Sequence, residues 1–317
     1  MNRVNYLVLG LLVGPSMHTN ASDSAPLRVH SQSPISSFLL SVSPMPTQFQ
    51  PGWQVAVDVH GASIFAMDAE YELDYYQMEY GVEAFYSPSP RWRFGTGLRL
   101  LRTDDAHLDQ ITLTFHDLFG IDQNGRDQVP KHRFYAAVPA TGLLVTDFQR
   151  RTLAQKYQFS GAYQWRQSPR HRLSSTVTMQ YNNAQGQWRK GGSVDGAVQL
   201  DYGYQRSGGD QAWLMLALSY TDASAVLSQS VRQWLPHLGL GYRHHYTPRH
   251  SVVFQYQLGM GPMTSLGSFK EPVHEFFVGY RYRRTGYQLD LTVLENAKNP
   301  DNSADFGLAA RFSYRFH

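Results

Sequence analysis

From Trp53 onward, apolar and polar side chains take turns with a period of two. Trp53, Val55, Val57 and Val59 alternate with Gln54, Asp58 and His60. Trp92, Phe94, Leu98 and Leu100 stand against Arg93, Gly95, Gly97 and Arg99. Tyr157, Phe159, Tyr163 and Trp165 stand against Gln158, Ser160, Gln164 and Arg166, and the device continues through Val198–Tyr204, Val252–Leu258 and Tyr287–Val293. Alternation sustained over such lengths marks strands with one apolar face. It predicts about twelve strands, at 53–66, 70–87, 91–103, 152–167, 172–184, 194–206, 211–223, 232–245, 250–260, 272–284, 286–296 and 304–317.

The connections sharpen this picture. Short links at Ser87–Pro90, Ser168–Arg170, Arg206–Asp210, Thr247–Arg249 and Arg284–Gly286 alternate with longer ones at 104–151, 185–193, 224–231, 261–271 and 297–303. Only the first link, near Asp68, is short where the rhythm calls for a long one. Outer-membrane barrels have short turns at one rim, long loops at the other and an even strand number. The expectation is therefore an all-β fold: a transmembrane, antiparallel, up-and-down β-barrel spanning 52–317, with one long extracellular loop at 104–151 containing a short helix over Asp109–Leu118. The last strand, Phe306 to Phe316, alternates and ends in aromatics, as barrels present to the insertion machinery, with His317 one residue beyond.

The N-terminus adds a compartment. Arg3 precedes an apolar run from Val4 to Val13, and small residues follow at Thr19-Asn20-Ala21. That is the layout of a secretory signal peptide over 1–21. The segment 22–51 is rich in Ser and Pro, including Pro34, Pro44, Pro46 and Pro51. Proline lacks the N–H that a sheet ladder needs, so this stretch reads as extended chain partly tucked into the lumen.

Composition agrees. Aromatic residues make up 14% and charged residues only 17%, against about a quarter charged in soluble domains. Mean hydropathy is −0.41, because alternation disperses the apolar residues. After the N-terminal segment no run approaches the length of a membrane helix, about 18 apolar residues. There is no cysteine, which excludes disulfides and thiolate metal sites, and a formal charge of +3 gives no basic patch for nucleic acid.

In a barrel the polar positions face inward. The early strands place Asp58, Glu72, Asp74, Glu79 and Glu83 among the polar positions, and the later ones Arg243, Arg281, Arg283, Arg311 and Arg315. First and last strands are neighbours in a closed barrel, so acids and bases are expected to face one another. They would either select solutes in an open lumen or pair across a narrow one and stabilise it.

The loop 104–151 holds the densest polar text: His116, Asp117, Phe119 and Gly120, then Asp122, Asn124, Gly125, Arg126, Asp127 and Pro130. Loops of this size are commonly functional. The spacing lacks the closing Glu of an EF-hand, and no Gly-x-Ser-x-Gly elbow or His-Glu-x-x-His helix accompanies it. Arg126 pairing Asp117 or Asp127, with the loop capping the barrel mouth, is the structural reading.

His116-Asp117-x-Phe119-Gly120 followed by Gly125-Arg126-Asp127-x-x-Pro130 resembles the hallmark of the bacterial family "domain of unknown function 3187". The resemblance extends to Ser33-Pro34-Ile35 and to the strand pair around Tyr80–Leu101. It implies an outer-membrane barrel and no activity.

The expected setting is the outer membrane of a Gram-negative bacterium, with membrane lipid and the barrel insertion machinery as partners and with no cofactor, metal or nucleic acid. The leading function is a pore for small polar or amphipathic solutes. The alternatives are a lipase-like enzyme using His116, and an adhesion or structural barrel.

Overall fold

A computed structural model describes residues 26–105, 108–120, 125–186, 188, 189 and 191–316. The expected signal peptide, Asp122, Asn124 and His317 lie outside the described residues.

Twelve wall strands form a closed antiparallel barrel: β1 (Gly52–Asp68), β2 (Tyr71–Ser89), β3 (Trp92–Thr103), β6 (Thr152–Gln167), β7 (His171–Ala184), β8 (Gly192–Gln205), β9 (Gln211–Thr221), β12 (Trp234–His245), β13 (His250–Gly259), β14 (Val273–Arg284), β15 (Tyr287–Lys298) and β16 (Phe306–Phe316). Four short strands lie in the loops: β4 (Tyr135–Val138) with β5 (Leu143–Thr146), and β10 (Ala225–Val226) with β11 (Gln229–Ser230). Sequential wall strands pair as neighbours, and β1 pairs β16 from Trp53↔Phe316 to Ser63↔Phe306, which closes the ring. The twelve strands fall within two residues of the positions the alternation predicts.

Closure follows from solvation. Lipid offers backbone groups no hydrogen bonds, so a spanning sheet must satisfy every strand edge internally. The outward side chains supply the apolar belt: Val57, Val82, Leu98, Phe159, Val177, Val198, Leu216, Leu240, Leu291 and Phe312 are all exposed. Aromatics mark its two borders. Trp53, Trp92, Trp165, Tyr242, Tyr280 and Phe316 stand at the short-turn end, and Tyr157, Tyr181, Trp234 and Phe276 towards the long-loop end. Such girdles are where amphipathic rings meet headgroups.

The anomalous short link has a geometric cause. β1 and β2 run 17 and 19 residues, well beyond the roughly ten that a tilted strand needs to cross. Their tight turn therefore sits at the tip of a hairpin that rises above the wall. β4 pairs Glu72–Asp74 of that projection and β5 pairs β4, extending it sideways. These four- and two-residue loop strands are too short to show a period and were not expected from sequence.

Helix α1 spans Leu108–Phe119, one residue longer at each end than expected. Its position corrects one expectation: α1 lies against the outside of the wall, with Leu108 beside outward-facing Gly61 of β1 and Phe115 4.8 Å from outward-facing Phe306 of β16. The helix therefore stands aside from the mouth, whereas Phe148, later in the same loop, packs there against Trp188.

Candidate functional site

The lumen is the first candidate. Eight strands enclose a space that side chains alone can fill, whereas sixteen or more leave a water channel. Twelve lie between, and the difference is filled here by the N-terminal segment. None of residues 26–50 is exposed. The chain enters at the short-turn end, where Arg281 Nη2 donates to the Pro26 carbonyl at 3.2 Å. It climbs to a single 3-10 turn at Ser36–Phe38 near the long-loop end and descends to Gln50, which accepts a hydrogen bond from Arg315.

This plug has no ladder to join, so side chains of the wall satisfy its backbone. Gln255 exchanges two hydrogen bonds with Leu27, at 3.1 and 3.2 Å. Glu275 accepts from Gln32 N–H and Ser31 Oγ, both at 3.1 Å. Gln77 donates to the Gln32 carbonyl at 3.0 Å and Gln199 to the Ser43 carbonyl at 3.1 Å. Asp201 accepts from Met45 N–H at 3.0 Å. Cavities between plug and wall measure about 10 to 30 Å³, room for no more than about one or two waters each.

Above the plug, apolar side chains close the loop end. Phe38 stacks on Trp188 at 5.9 Å, and Phe148 meets Trp188 edge-on at 5.1 Å. Leu227, Met263 and Phe269 are fully buried in the same cluster.

An ion-pair belt crosses the lumen at mid-wall. Arg99 reaches Asp58 at 2.9 Å, Glu79 at 3.1 Å and Glu83 at 3.1 Å. Arg311 reaches Asp58 at 2.7 Å and Glu83 at 2.6 Å; Lys156 reaches Glu79 at 2.9 Å, and Arg28 of the plug reaches Glu83 at 3.2 Å. Register places them: Asp58 lies opposite Arg311 across β1–β16 and opposite Gly81 across β1–β2, and Gly81 lies opposite Arg99. A Cβ at Gly81 would collide with the Asp58 carboxylate and with Arg99 Nη1. The bare backbone there lets the two side chains meet.

Of the charges expected in the lumen, Asp58, Glu79, Glu83 and Arg311 meet in this belt, while the other expected bases are placed elsewhere. Arg281 pairs Asp290 at 2.7 Å. Arg243, Arg283 and Arg315 stand nearer the short-turn end beside the Gly209 carbonyl, Gln288 and Gln50. Glu72 and Asp74 lie outside the lumen, near Arg133 and Arg126. Sequence reasoning passed over Arg99 and Lys156, although both occupy inward positions of the alternation. Arg28 sits in a segment with no period and left no signal.

The loop motif forms a second site, on the outer wall. Buried His116 places Nε2 3.4 Å from the Asp305 carbonyl oxygen, 3.7 Å from Glu295 Oε1 and 4.0 Å from Asp305 Oδ1. Buried Arg126 lies 3.6 Å from Asp305 and 3.9 Å from Asp74, donates to Tyr76 Oη, and covers the Phe65 and Tyr76 rings at 5.5 and 5.2 Å. The two motif residues therefore meet at Asp305. Gly120 and Gly125 adopt φ +66° and +85°, left-handed values that favour glycine and turn the chain between helix and clamp. Asp117, Phe119 and Pro130 are exposed, and Asp127 lies in the 3-10 turn Arg126–Gln128. Ile111, Leu118 and Phe119 present apolar surface away from the wall, and Phe119 packs on Phe115 at 4.7 Å, continuing the belt from Phe306. The hydroxyl of Ser63, the outward-facing serine of this part of β1, has no hydrogen-bond partner among the described residues.

Burial alone would lower the His116 pKa, but the Glu295 carboxylate 3.7 Å away and the charge of Asp305 outweigh it and hold the value above its ordinary one. With the folded pKa above an unfolded value of about 6.5, this contribution to docking is complete below that pH. It disappears as pH rises through the raised value. Amide exchange across 108–119, corrected for its intrinsic pH dependence, should therefore quicken as pH rises above the ordinary histidine range. His116→Gln should flatten that dependence. An unchanged slope in the variant would assign the effect elsewhere.

The family described as "Protein of unknown function (DUF3187)" matches residues 6–316. The chain belongs to this family. No curated protein matches the chain. Among solved structures, the KdgM porin is similar at 7% identity and TM-score 0.44, covering 83% of this chain and 99% of that one. The CymD monoaromatic hydrocarbon channel gives 10% and 0.44, covering 92% and 99%. The translocator domain of autotransporter NalP from Neisseria meningitidis gives 8% and 0.43, covering 84% and 90%. These are likenesses of general barrel architecture.

Proposed function

We propose that the protein is a gated outer-membrane pore for small polar or amphipathic solutes, held shut at rest by residues 26–51. The observation that carries this reading is the construction of the plug. Both of its described ends lie at the short-turn end of the barrel, so it can withdraw as a single loop without threading the wall. Much of its grip on the wall is polar, through Gln77, Gln199, Asp201, Gln255 and Glu275. Water can take over hydrogen bonds of that kind at a small net cost, about 0.5–1.5 kcal/mol each. A purely apolar filling would not exchange so easily.

The short-turn end faces the periplasm in the usual orientation of such barrels, which places the plug's exit on that side after export and insertion of the C-terminal strand. The central charges pair with one another rather than lining an open path, so they hold the closed state and would meet solute only after the plug leaves. Single-channel recording of the purified protein in planar bilayers tests the reading. Brief, infrequent openings under applied voltage are expected. A permanent seal at every voltage would remove the pore.

A further inference from the structure

The five short turns share a feature that the pore reading does not use. Each carries one exposed arginine: Arg91 after β2, Arg170 after β6, Arg206 after β8, Arg249 after β12 and Arg284 at the end of β14. They are spaced around the rim because the turns alternate around a closed ring. Among the described residues, the only acid in these turns is Asp210, and it is engaged by Tyr242 Oη at 2.7 Å and by His245 N–H at 3.0 Å.

Depth is fixed by the neighbouring aromatics. Trp92 follows Arg91 directly, Tyr204 precedes Arg206 by two residues, Tyr246 precedes Arg249 by three, and Tyr282 precedes Arg284 by two. These rings belong to the girdle at this end of the barrel, the level of the lipid interface. One step beyond that level lie the phosphates. A guanidinium offers a planar fork of donors that matches phosphate oxygens, and basic residues at an anionic membrane surface are attracted within about a Debye length.

We propose that this arginine ring binds the phosphate-bearing headgroups of anionic phospholipids in the leaflet at the short-turn end. The ring thereby anchors the rim from which the plug enters, and the binding is independent of whether the lumen ever opens.

The test reconstitutes the full protein in phosphatidylcholine bilayers doped with spin-labelled phosphatidylglycerol or spin-labelled phosphatidylcholine, and compares the motionally restricted fraction of each label. At low salt the glycerol lipid should be held about fivefold more strongly. The preference should vanish near 1 M salt, where the Debye length falls to about 3 Å. It should also vanish in the variant carrying Arg91→Gln, Arg170→Gln, Arg206→Gln, Arg249→Gln and Arg284→Gln. Equal retention of both labels by the wild-type protein at low salt would overturn the proposal, as would a preference that survives high salt. Survival in the folded five-site variant would do so too. If that variant does not fold, the salt series on the wild-type protein decides.

Discussion

Deletion of residues 27–50, joining Pro26 to Pro51, should convert a nearly sealed protein into a steadily conducting one. The deleted segment is the filling of the lumen, and none of its residues pairs with a wall strand. The ladder from β1 to β16 is therefore untouched, and the barrel should still resist dissociation in cold detergent. The lumen would lose the backbone that Gln77, Gln199, Asp201, Gln255 and Glu275 now satisfy, and those side chains would turn to water. The apolar cluster over the loop end would lose Ile35, Phe38 and Leu39, including the ring on which Trp188 stacks. A polar, twelve-stranded lumen emptied in this way is wide enough for a continuous water path. Planar-bilayer recording reads the outcome as persistent current in place of rare openings. A correctly folded deletion variant that seals like the wild type would show that the loops, not the plug, close the barrel.

The second large effect concerns the ion-pair belt. Among the described residues, Arg99 is the one cation that touches all three carboxylates, Asp58, Glu79 and Glu83. Its side chain is 4% exposed and theirs 2% or less, so none of them can recover much hydration if the partner is lost. Removing one member of a buried ion pair costs about 3–5 kcal/mol, because the remaining charge is left without compensation. Arg99→Met, which keeps much of the stem and removes the charge, should lower unfolding stability by about that amount in a urea titration. A single variant within about 0.5 kcal/mol of wild type, the range of ordinary surface changes, would mean that water already reaches the belt.

Much of this architecture could be read from residue order. The wall was legible because one face meets lipid and the other meets polar filling, a contrast that repeats at every second residue. The opposition of Asp58 and Arg311 was legible because a closed ring makes the first and last strands neighbours. The plug was only half legible. Its prolines argued against a strand, but a segment that borrows hydrogen bonds from surrounding walls has no periodicity of its own, so nothing in it announced that the whole of 26–50 is enclosed. The belt's hub was visible in principle, since Arg99 sits at an inward position, yet its importance depends on Gly81 directly opposite it on β2, over which Arg99 reaches Asp58 of β1. The loop motif showed its unusual content but not its place. His116 and Arg126 find Asp305 and Asp74 across long sequence separations, and only the fold reveals that they clamp a helix to the outside of the wall.

The central claim is that the N-terminal segment must leave for solute to pass. It is tested most directly by tying the segment down. Ser31 Oγ and Glu275 Oε1 are 3.1 Å apart, and the chain contains no cysteine, so Ser31→Cys with Glu275→Cys, joined through two disulfides by a short bis-methanethiosulfonate reagent that spans the length of the missing Glu275 side chain, would introduce the sole possible bridge between plug and wall. In single-channel recordings the bridged variant should remain sealed, and adding a reductant should restore openings in the same membrane. Equal conductance in the bridged and reduced states, with the bridge confirmed by mass, would contradict the account.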